Sequence, residues 1–339
     1  MSTPVPANWR PLITQCNTTI RQAWSELKPE YPLYTTTVNM GERSIFEDAW
    51  IGRMPKMRLW SGPRVYHGPG ALTYTVVPEP FELSYILDMF KYADDGFGVF
   101  YPMLLDYAYQ VRMWPEYQMR DLFEASGAWS STASQKGMDG LANWSTAHQT
   151  NPYALSAGTL AAGTAYCTDF TGGGVSINSV TVGGALSATA ILTLIEYMST
   201  IRAEDGERFN IKPTILMHPS ALRGEVEYNL KNMLAAGSVG YTTWGAAQTQ
   251  VGATDNVVAR MGVEPYENKN LASYTKWYLM DTSKSVKPVR WILREAFGMT
   301  PLTEPNQPIV VNNHAFAWVG HGRGAPAWSP AWLMARSGP

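Results

Sequence analysis

The clearest pattern of apolar positions along the chain lies between Val99 and Ala125. Its apolar residues recur every three or four positions, the period of an α-helix with one buried face: Leu104, Ala108, Val111, Met119, Leu122 and Phe123. Pro115 lies inside this stretch, and we expect it to kink the helix or divide it in two. The pattern predicts a long amphipathic helix that follows the acidic pair Asp94-Asp95 and ends at Ser126-Gly127.

Runs that favour β-structure precede this helix, namely Met57–Trp60, Arg64–His67, Leu72–Val77 and Phe81–Leu87. The sequence Gly68-Pro69-Gly70 separates the second run from the third. Glycine tolerates positive φ and proline fixes its own φ, as a tight turn requires. We therefore predict a long two-stranded hairpin, which has too few residues for a core of its own and stands out as an exposed flap.

The remaining segments are less regular. The first fifty residues have weak periodicity and predict an extended arm that lies on another surface. Residues 127–183 are small and polar and predict loops and short strands. Helices are expected over Ala185–Arg202 and from Pro219 through Leu234, and strands over Thr214–Met217, Val257–Val263, Thr275–Met280 and Val289–Leu293. The second half is therefore expected to be an α+β unit.

The amino-acid composition indicates which kinds of partner the protein surface can bind. The 339 residues carry a formal net charge of −2, and charged residues make up 16% of the chain against about 25% in an average domain. Such a chain has no overall field for nucleic acid or an anionic membrane, whereas its many aromatic and methionine side chains are typical of buried protein–protein contacts. The sequence shows neither a signal peptide nor a membrane span, so we expect synthesis and folding in a cytoplasm.

Candidate chemical sites are weak. The pairs Asp94-Asp95 and Glu204-Asp205 are interpreted as helix caps in preference to catalytic or metal-binding carboxylates. Cys16 and Cys167 lack the spacing of a zinc site or a disulfide framework, and Gly172–Gly174 lacks the Lys-Ser/Thr of a phosphate loop. The histidines form no metal motif: His67, His148, His218, His314 and His321. We expect no enzyme activity, no cofactor and no metal.

Two aromatic clusters allow more than one interpretation. One lies on the predicted flap (Trp60, Tyr66 and Tyr74) and the other near the C-terminus (Trp318, Trp328 and Trp332). Either could be a stacking platform for sugars or bases, but basic residues are not clustered beside them. We favour roles in the core or in contacts between subunits.

Several short motifs, in order, resemble one family. Met57 to His67 contains a Met-Arg-x-Trp-x-Gly-x-Arg run, followed by Phe81-Glu-Leu and by Asp94-Asp95 with Gly98 at the entry to the long helix. Later similarities include Met138-Asp-Gly140, the strand before Pro219, Trp277-Tyr-Leu and Gly320-His-Gly-Arg323. This series resembles the major head subunit of Mu-like tailed bacteriophages over about residues 45–339, while the Gly/Thr-rich residues 153–183 depart from the pattern and indicate an insertion.

The resemblance implies an α+β fold of the Hong Kong 97 type. Its expected parts are an N-terminal arm (1–50), an extended β-hairpin loop (51–92), a peripheral domain with the long spine helix (93–211), an axial domain (212–300) and a return to the peripheral domain (301–339). The implied function is a structural subunit, located in the virion, that assembles into hexamers and pentamers of an icosahedral head. The head would enclose double-stranded DNA with weak, non-specific contact, and separate scaffolding, portal and decoration proteins are expected partners.

Two alternatives stay open from the sequence: an encapsulin-like shell that holds an enzyme, and a monomeric Trp-rich carbohydrate-binding or hydrolytic protein. In the capsid interpretation the flap contacts neighbouring subunits, because an exposed two-stranded hairpin is stable only on a surface that supports it. The residues expected to make these contacts are Arg58, Trp60, Arg64, Tyr66, Gly68, Pro69, Gly70 and Tyr74.

Overall fold

The structure is a computed structural model of the chain. It describes residues 9–51, 57, 59–60, 62–64, 71–95, 98–124, 137, 141, 143–145, 148–149, 165–166, 168–171, 175–177, 180–182, 185–203, 208–232, 234–243 and 246–338.

Helices in the described residues are α1 (Trp9–Glu26), α2 (Met89–Ala93), α3 (Phe100–Glu124), α4 (Ala188–Thr200), α5 (Arg223–Lys231) and α6 (Pro308–Asn313). The strands are β1 (Thr35–Asn39), β2 (Phe46–Ile51), β3 (Ala71–Val76), β4 (Glu79–Asp88), β5 (His148–Gln149), β6 (Ala165–Tyr166), β7 (Asp169–Thr171), β8 (Val175–Ile177), β9 (Val180–Val182), β10 (Ile215–His218), β11 (Leu234–Thr243), β12 (Ala246–Asp255), β13 (Glu264–Glu267), β14 (Trp277–Met280), β15 (Val289–Leu302), β16 (Ala315–Trp328) and β17 (Met334–Gly338).

The predicted long helix is confirmed as α3, and it runs unbroken through Pro115. Proline removes one hydrogen bond from a helix, but α3 is buried along one side both before and after this residue, and this packing outweighs the loss. Its buried residues include all six of the predicted apolar positions: Leu104, Ala108, Val111, Met119, Leu122 and Phe123.

The first half of α3 packs on a four-stranded sheet with the order β1-β15-β16-β4. The strands β15 and β16 are both 14 residues long and run antiparallel, with register shifts between Leu293 and Gly298. Strand β4 pairs with β16 on one side, and β1 pairs in parallel with β15 on the other. The sequence predicts only the first five residues of β15, because the register shifts interrupt its alternating pattern.

The prediction of a wholly extended arm over the first fifty residues is wrong. Residues Thr35–Asn39 do form an extended strand, but Trp9–Glu26 forms α1, which packs on α3. Cys16, Ile20 and Ala23 are buried at spacings of four and three, in one core with residues of α3. The helical period was present, but threonine, asparagine and a proline between the apolar positions obscured it.

The predicted hairpin is correct in part. Strands β3 and β4 cover the predicted runs Leu72–Val77 and Phe81–Leu87, but β3 pairs with β2, from a segment that the sequence analysis assigned to the arm. The described residues Met57, Leu59 and Trp60 are not in a strand, so the first predicted run is wrong there. The turn Gly68-Pro69-Gly70 and most of Arg64–His67 lie outside the described residues.

A second, five-stranded sheet has the order β13-β10-β14-β17-β7. Helices α4 and α5 pack against it in one hydrophobic core that includes Ile191, Leu194, Leu216, Val226 and Trp277. The predicted helix over Ala185–Arg202 and the predicted strands near Thr214 and Thr275 are confirmed with ends that differ by a few residues. The short strands predicted within residues 127–183 are confirmed by β5 to β9, and most of the rest of this segment lies outside the described residues.

Two further predictions in this half are wrong. The helix after Pro219 ends at Lys231, and Leu234 begins a strand of a long hairpin for which the sequence analysis had no element. Val257–Val263 contains the 3-10 turn Val258–Arg260 in place of a strand, and the strand follows at Glu264.

The chain crosses between the two sheets more than once after residue 280, whereas the sequence-based division has a single crossing, from the axial to the peripheral domain at residue 300. Strands β15 and β16 both belong to the four-stranded sheet, whereas β14 before them and β17 after them belong to the five-stranded one. A shared core under the second half of α3 joins the sheets, with Met119 and Phe123 of the helix, Tyr278 of β14, and Trp291 and Trp328 of β15 and β16.

Candidate inter-subunit surfaces

The base of the predicted flap is anchored firmly on the chain's own sheet. Strands β2 and β3 pair from Phe46↔Val76 to Ile51↔Ala71 and form a two-stranded ribbon. Residues 52–70 connect the two strands at the Ile51↔Ala71 end of this ribbon. Val76 and Tyr74, which is 6% exposed, pack with Ile292 and Ala325 of the four-stranded sheet. Residues 52–70, which we call the extended loop, therefore start from a fixed base.

The described part of the extended loop presents apolar side chains to solvent. Leu59 is 90% exposed and Trp60 is 73% exposed, and Met57 is fully exposed. The Trp60 indole N–H donates to the carbonyl oxygen of Gly62 at 2.7 Å, and the guanidinium of Arg64 lies 5.7 Å from the Trp60 ring centroid. These contacts are local, so the apolar residues stay available to another surface.

The charge of the extended loop differs sharply from that of the whole chain. Its four charged residues are all basic (Arg53, Lys56, Arg58 and Arg64), in a protein of net charge −2. A loop that is both cationic and apolar fits a surface that is apolar at its centre and acidic at its rim.

The structure brings together two of the residues expected at subunit contacts, Trp60 and Arg64, in one exposed cluster. Tyr74 belongs to β3 of the ribbon, and its side chain is covered by the four-stranded sheet of its own chain. The other expected residues lie outside the described part of the chain: Arg58, Tyr66, Gly68, Pro69 and Gly70.

A groove that the sequence analysis missed lies between α3 and the four-stranded sheet. It has a volume of about 440 Å³ and is lined by Phe81, Leu83, Val111, Trp114 and Phe297. The Phe81 ring lies 5.2 Å from that of Trp114 and 6.4 Å from that of Phe297, measured between ring centroids. We call this the aromatic groove.

Two polar residues of the sheet also border the aromatic groove. Glu82 and His321 line it, and Oε1 of Glu295 lies 3.4 Å from Nε2 of His321. Glu82 and His321 are register partners on β4 and β16, so these side chains share one face of the sheet. Successive side chains of a strand point to opposite faces, so Glu82 and His321 lie on the face opposite to Phe81 and Leu83, and the face toward α3 is apolar and aromatic.

Three glycines at alternate positions of β16 make the floor of this region flat. A Cβ atom on Gly320 would lie 2.6 Å from Val111 Cγ2, one on Gly322 would lie 2.6 Å from the Phe297 ring, and one on Gly324 would lie 2.6 Å from the Trp291 ring. The glycines therefore let α3 and two aromatic rings lie directly on the backbone of β16. Their spacing by two, with His321 and Arg323 between them, was the signal that sequence reasoning could have used.

The other candidate chemical groups have structural roles or lie outside the described residues. Asp95 accepts the backbone N–H of Phe100 at 3.3 Å, which confirms the predicted cap at the start of α3. His148 and His218 are buried, with a ring nitrogen 3.0 Å from the carbonyl oxygen of Asn143 and of Pro219, respectively. Trp318 and Trp328 are core residues, as favoured, whereas Glu204-Asp205 and Gly172–Gly174 are not described.

Neither a metal cluster nor a membrane-spanning helix occurs among the described residues. No group of three or more His, Cys, Asp or Glu side chains there is placed to hold a metal ion. None of the helices in the described part of the chain has both the length and the apolar character needed to span a bilayer.

Comparison with protein families shows which family the chain belongs to. The family model described as "Mu-like prophage major head subunit gpT" matches residues 10–167 and 253–337, well over half of the chain. The chain belongs to this family. Its role is therefore that of a phage major capsid protein, a structural component of the virion, as the resemblance implied. No curated protein matches the chain.

Solved capsid structures share the fold. The chain is similar to the structure of Microbacterium phage Oxtober96, with a TM-score of 0.52, 12% identity, and 92% of this chain and 91% of that chain covered. It is also similar to the mature capsid of bacteriophage PhiM1 (TM-score 0.52, 9% identity, 92% and 87% covered). The decorated capsid of bacteriophage JBD30 gives a TM-score of 0.50 at 15% identity, with 72% and 91% covered. The predicted Hong Kong 97-type fold is confirmed.

Proposed function

We propose that copies of this chain assemble into hexamers and pentamers of an icosahedral head around double-stranded DNA, and that the extended loop of one copy lies in the aromatic groove of its neighbour. The observation that carries this proposal is complementarity within one chain. The loop exposes Leu59 and Trp60 beside its basic residues, whereas the groove is apolar and lined by aromatic rings that can pack against these side chains. Each copy thus offers both halves of a contact that can be repeated between neighbours.

The two sheets support a division of the subunit that differs from the sequence-based one. We assign the four-stranded sheet with α1 and α3 to the peripheral domain, and the five-stranded sheet with α4 and α5 to the axial domain. In this division β17, at residues 334–338, belongs to the axial domain. The extended loop leaves from the peripheral side, where its ribbon packs on Ile292 and Ala325.

The proposed role needs no catalysis. A closed shell gains its stability from many modest interfaces that act together, so each loop-to-groove contact can be weak. The near-neutral net charge suits a wall that encloses DNA without holding it tightly. Separate scaffolding, portal and decoration proteins stay proposed partners.

Charge exchange tests the loop-to-groove contact directly. Leu83→Lys, at a residue that lines the groove, should reduce the yield of closed particles, because it places a positive charge against the basic loop. Adding Arg64→Glu to this variant places opposite charges on the two sides and should recover particles, as counted by negative-stain microscopy. Val257→Lys, at an apolar residue of similar exposure (52%, against 42% for Leu83), is the matched control and should assemble normally.

A second pair of variants tests the apolar part of the contact. Trp60→Ala should lower particle yield, while Tyr274→Ala, at an aromatic residue of similar exposure (75%, against 73% for Trp60), should not. Removal of residues 53–69 with two glycines in their place keeps β2 and β3, and should leave a folded subunit that cannot close into shells. Normal heads from that deletion would refute the role of the loop.

Packaged DNA distinguishes a phage head from an enzyme-containing shell. Particles purified from induced host cells should contain double-stranded DNA that is protected from added nuclease. Particles that hold only protein would favour the encapsulin-like alternative. A monomer of 37.6 kDa under all assembly conditions would contradict both shells.

A further inference from the structure

A second long hairpin projects from the five-stranded half of the subunit. Strands β11 and β12 pair without a register shift from Leu234↔Asp255 to Thr243↔Ala246, ten residues on each side, which corresponds to a length of roughly 33 Å. They form a two-stranded sheet, so neither outer edge is paired with another strand in the described part of the chain. We call this the 234–255 hairpin.

The base of the 234–255 hairpin is held firmly. Asn256, which is 3% exposed, donates from Nδ2 to the carbonyl oxygens of Asn229 at 2.7 Å and Asn232 at 2.8 Å. Its Oδ1 accepts the backbone N–H of Val258 at 3.2 Å. The buried amide thus ties the end of α5 to the segment that leaves β12, at the base of the hairpin.

The sequence of the hairpin lacks the features that normally protect an exposed strand edge. No Lys, Arg, Asp or Glu occurs between Lys231 and Asp255, although charged residues make up 16% of the chain. The stretch also contains no proline, and its register contains no bulge. Soluble proteins use charge, proline and bulges to prevent strands from pairing with other molecules, and an isolated two-stranded hairpin is marginally stable in water.

We propose that the 234–255 hairpin binds the same hairpin of a second copy of this chain, edge to edge, with β11 of one copy hydrogen-bonded to β12 of the next. This inference rests on the proposed function, since it requires that copies assemble. The two edges of a hairpin are different, so pairing between them is head-to-tail, and rotational symmetry closes such a chain of contacts into a ring. Backbone hydrogen bonds supply the affinity, and edges whose one charged residue is Asp255, at the base, bring little repulsion between identical copies.

The choice of a second copy over another partner follows from the same features. A hairpin without lysine or arginine offers nothing to the phosphates of DNA, which bind through these residues. Every neighbour in an assembly of identical copies carries both edges at the same height on the subunit. A separate decoration protein is the alternative partner, and the experiment below distinguishes it.

Edge charges provide the test on the full chain. The variant Val239→Lys with Ala247→Lys places one lysine on each strand, at positions whose register partners are Gln250 and Thr242, so the two lysines are not opposite each other. The matched control is Val239→Gln with Ala247→Gln, which adds similar length without charge. We expect the lysine variant to keep the thermal stability of the subunit and to lose about ten-fold or more in particle yield, while the glutamine variant assembles normally.

Hydrogen exchange is a second test, because it reports whether the backbone amides of the hairpin itself become protected on assembly. Backbone amides of residues 234–255 should exchange at least about ten-fold more slowly in assembled particles than in free subunits of the same preparation. Equal exchange in the two states, or normal assembly of the lysine variant, would overturn the inference while the wild-type particles still support the proposed function. Protection that appears only after a second phage protein is added would also overturn it. Failure of the wild-type chain to assemble would instead contradict the proposed function.

Discussion

Oε1 of Glu116, in the middle of α3, lies 2.5 Å from the backbone nitrogen of Tyr31 and also accepts the backbone N–H of Glu30. Glu116 is 3% exposed, so this carboxylate is buried beneath the segment that joins α1 to β1. The two donated hydrogen bonds stand at the start of the 3-10 turn Tyr31–Leu33, whose first N–H groups have no partner within the turn. One carboxylate therefore fastens the N-terminal segment to the spine helix.

Burial raises the pKa of Glu116, although the hydrogen bonds from Tyr31 and Glu30 lower it in part. A carboxyl whose pKa is higher in the folded state favours folding when protonated, and this contribution is lost as the pH rises from the ordinary value of 4.5 through the raised pKa. Glu116→Gln keeps an oxygen acceptor and cannot ionise. We therefore expect its stability relative to the wild type to increase with pH over this window, measured by urea unfolding of unassembled subunits.

The control for this prediction is Glu225→Gln, at an exposed position on α5, which should follow the wild-type pH curve. Parallel curves for Glu116→Gln and the wild type would contradict the assigned pKa shift. Glu116→Ala tests the hydrogen bonds themselves, because it leaves two backbone N–H groups without their acceptor. Each such group costs about 1–3 kcal/mol when buried, so this variant should be clearly destabilised.

The neighbours Leu104 and Leu105 allow a sharp test of how α3 is oriented. Leu104 is 2% exposed in the core that α3 shares with α1, whereas Leu105 is 37% exposed. Leu104→Asp would bury a charge against apolar side chains and should destabilise the subunit by several kcal/mol, roughly 3–5. Leu105→Asp has the same chemistry on the exposed side and should change the melting temperature little. Similar losses in both variants would contradict this orientation.

Sequence reasoning worked where one residue spacing dominates a segment. The buried side of α3 repeats every three or four residues over its whole length, and the predicted positions are the ones that the core uses. The exposed pair Trp60 and Arg64 was found because a loop without a core must expose its aromatic side chains. In both cases the signal is local in the chain.

Sequence reasoning failed where the structure depends on residues that lie far apart along the chain. The aromatic groove joins Phe81, Val111 and Phe297, which no local pattern links. Helix α1 is weakly patterned, and it gains its stability from α3, including the contact of the Arg112 guanidinium with the Trp24 ring at 4.8 Å. The 234–255 hairpin has small residues on both strands, so it shows neither a helical nor an alternating apolar period.

His218 provides a second prediction about pH, with the opposite sign. It is buried at the end of β10, with Nδ1 3.0 Å from the carbonyl oxygen of Pro219, and burial lowers its pKa from 6.5. Glu267 and Glu227 oppose this shift and Arg223 adds to it. Because the folded state disfavours the protonated ring, its contribution to stability is present above pH 6.5 and is lost as the pH falls toward the lowered pKa.

Asparagine at this position can donate a hydrogen bond without titrating. We expect His218→Asn to flatten the loss of stability below about pH 6.5 in chemical denaturation of the unassembled subunit. His314→Asn, at a residue beyond the end of α6, is the comparison and should keep the wild-type slope. An unchanged slope in His218→Asn would show that other groups cause the acid sensitivity.

The flat backbone of β16 under α3 makes Gly320 the most sensitive of the three alternating glycines. A Cβ there would lie 2.6 Å from Val111 Cγ2 of α3 and 3.2 Å from the backbone oxygen of Leu83 in β4. It would therefore be crowded by the helix and by the neighbouring strand at the same time. Overpacking of this kind costs about 1–3 kcal/mol, and we expect Gly320→Ala to lose that much in the free energy of unfolding. Gly298→Ala in β15 is the matched control, since its nearest contact would be at 4.0 Å. Adding Val111→Ala to Gly320→Ala removes the side chain that clashes, so the double variant should lose less than the sum of the two single losses. If the losses simply add, the close approach of α3 to β16 is not what requires glycine at this position.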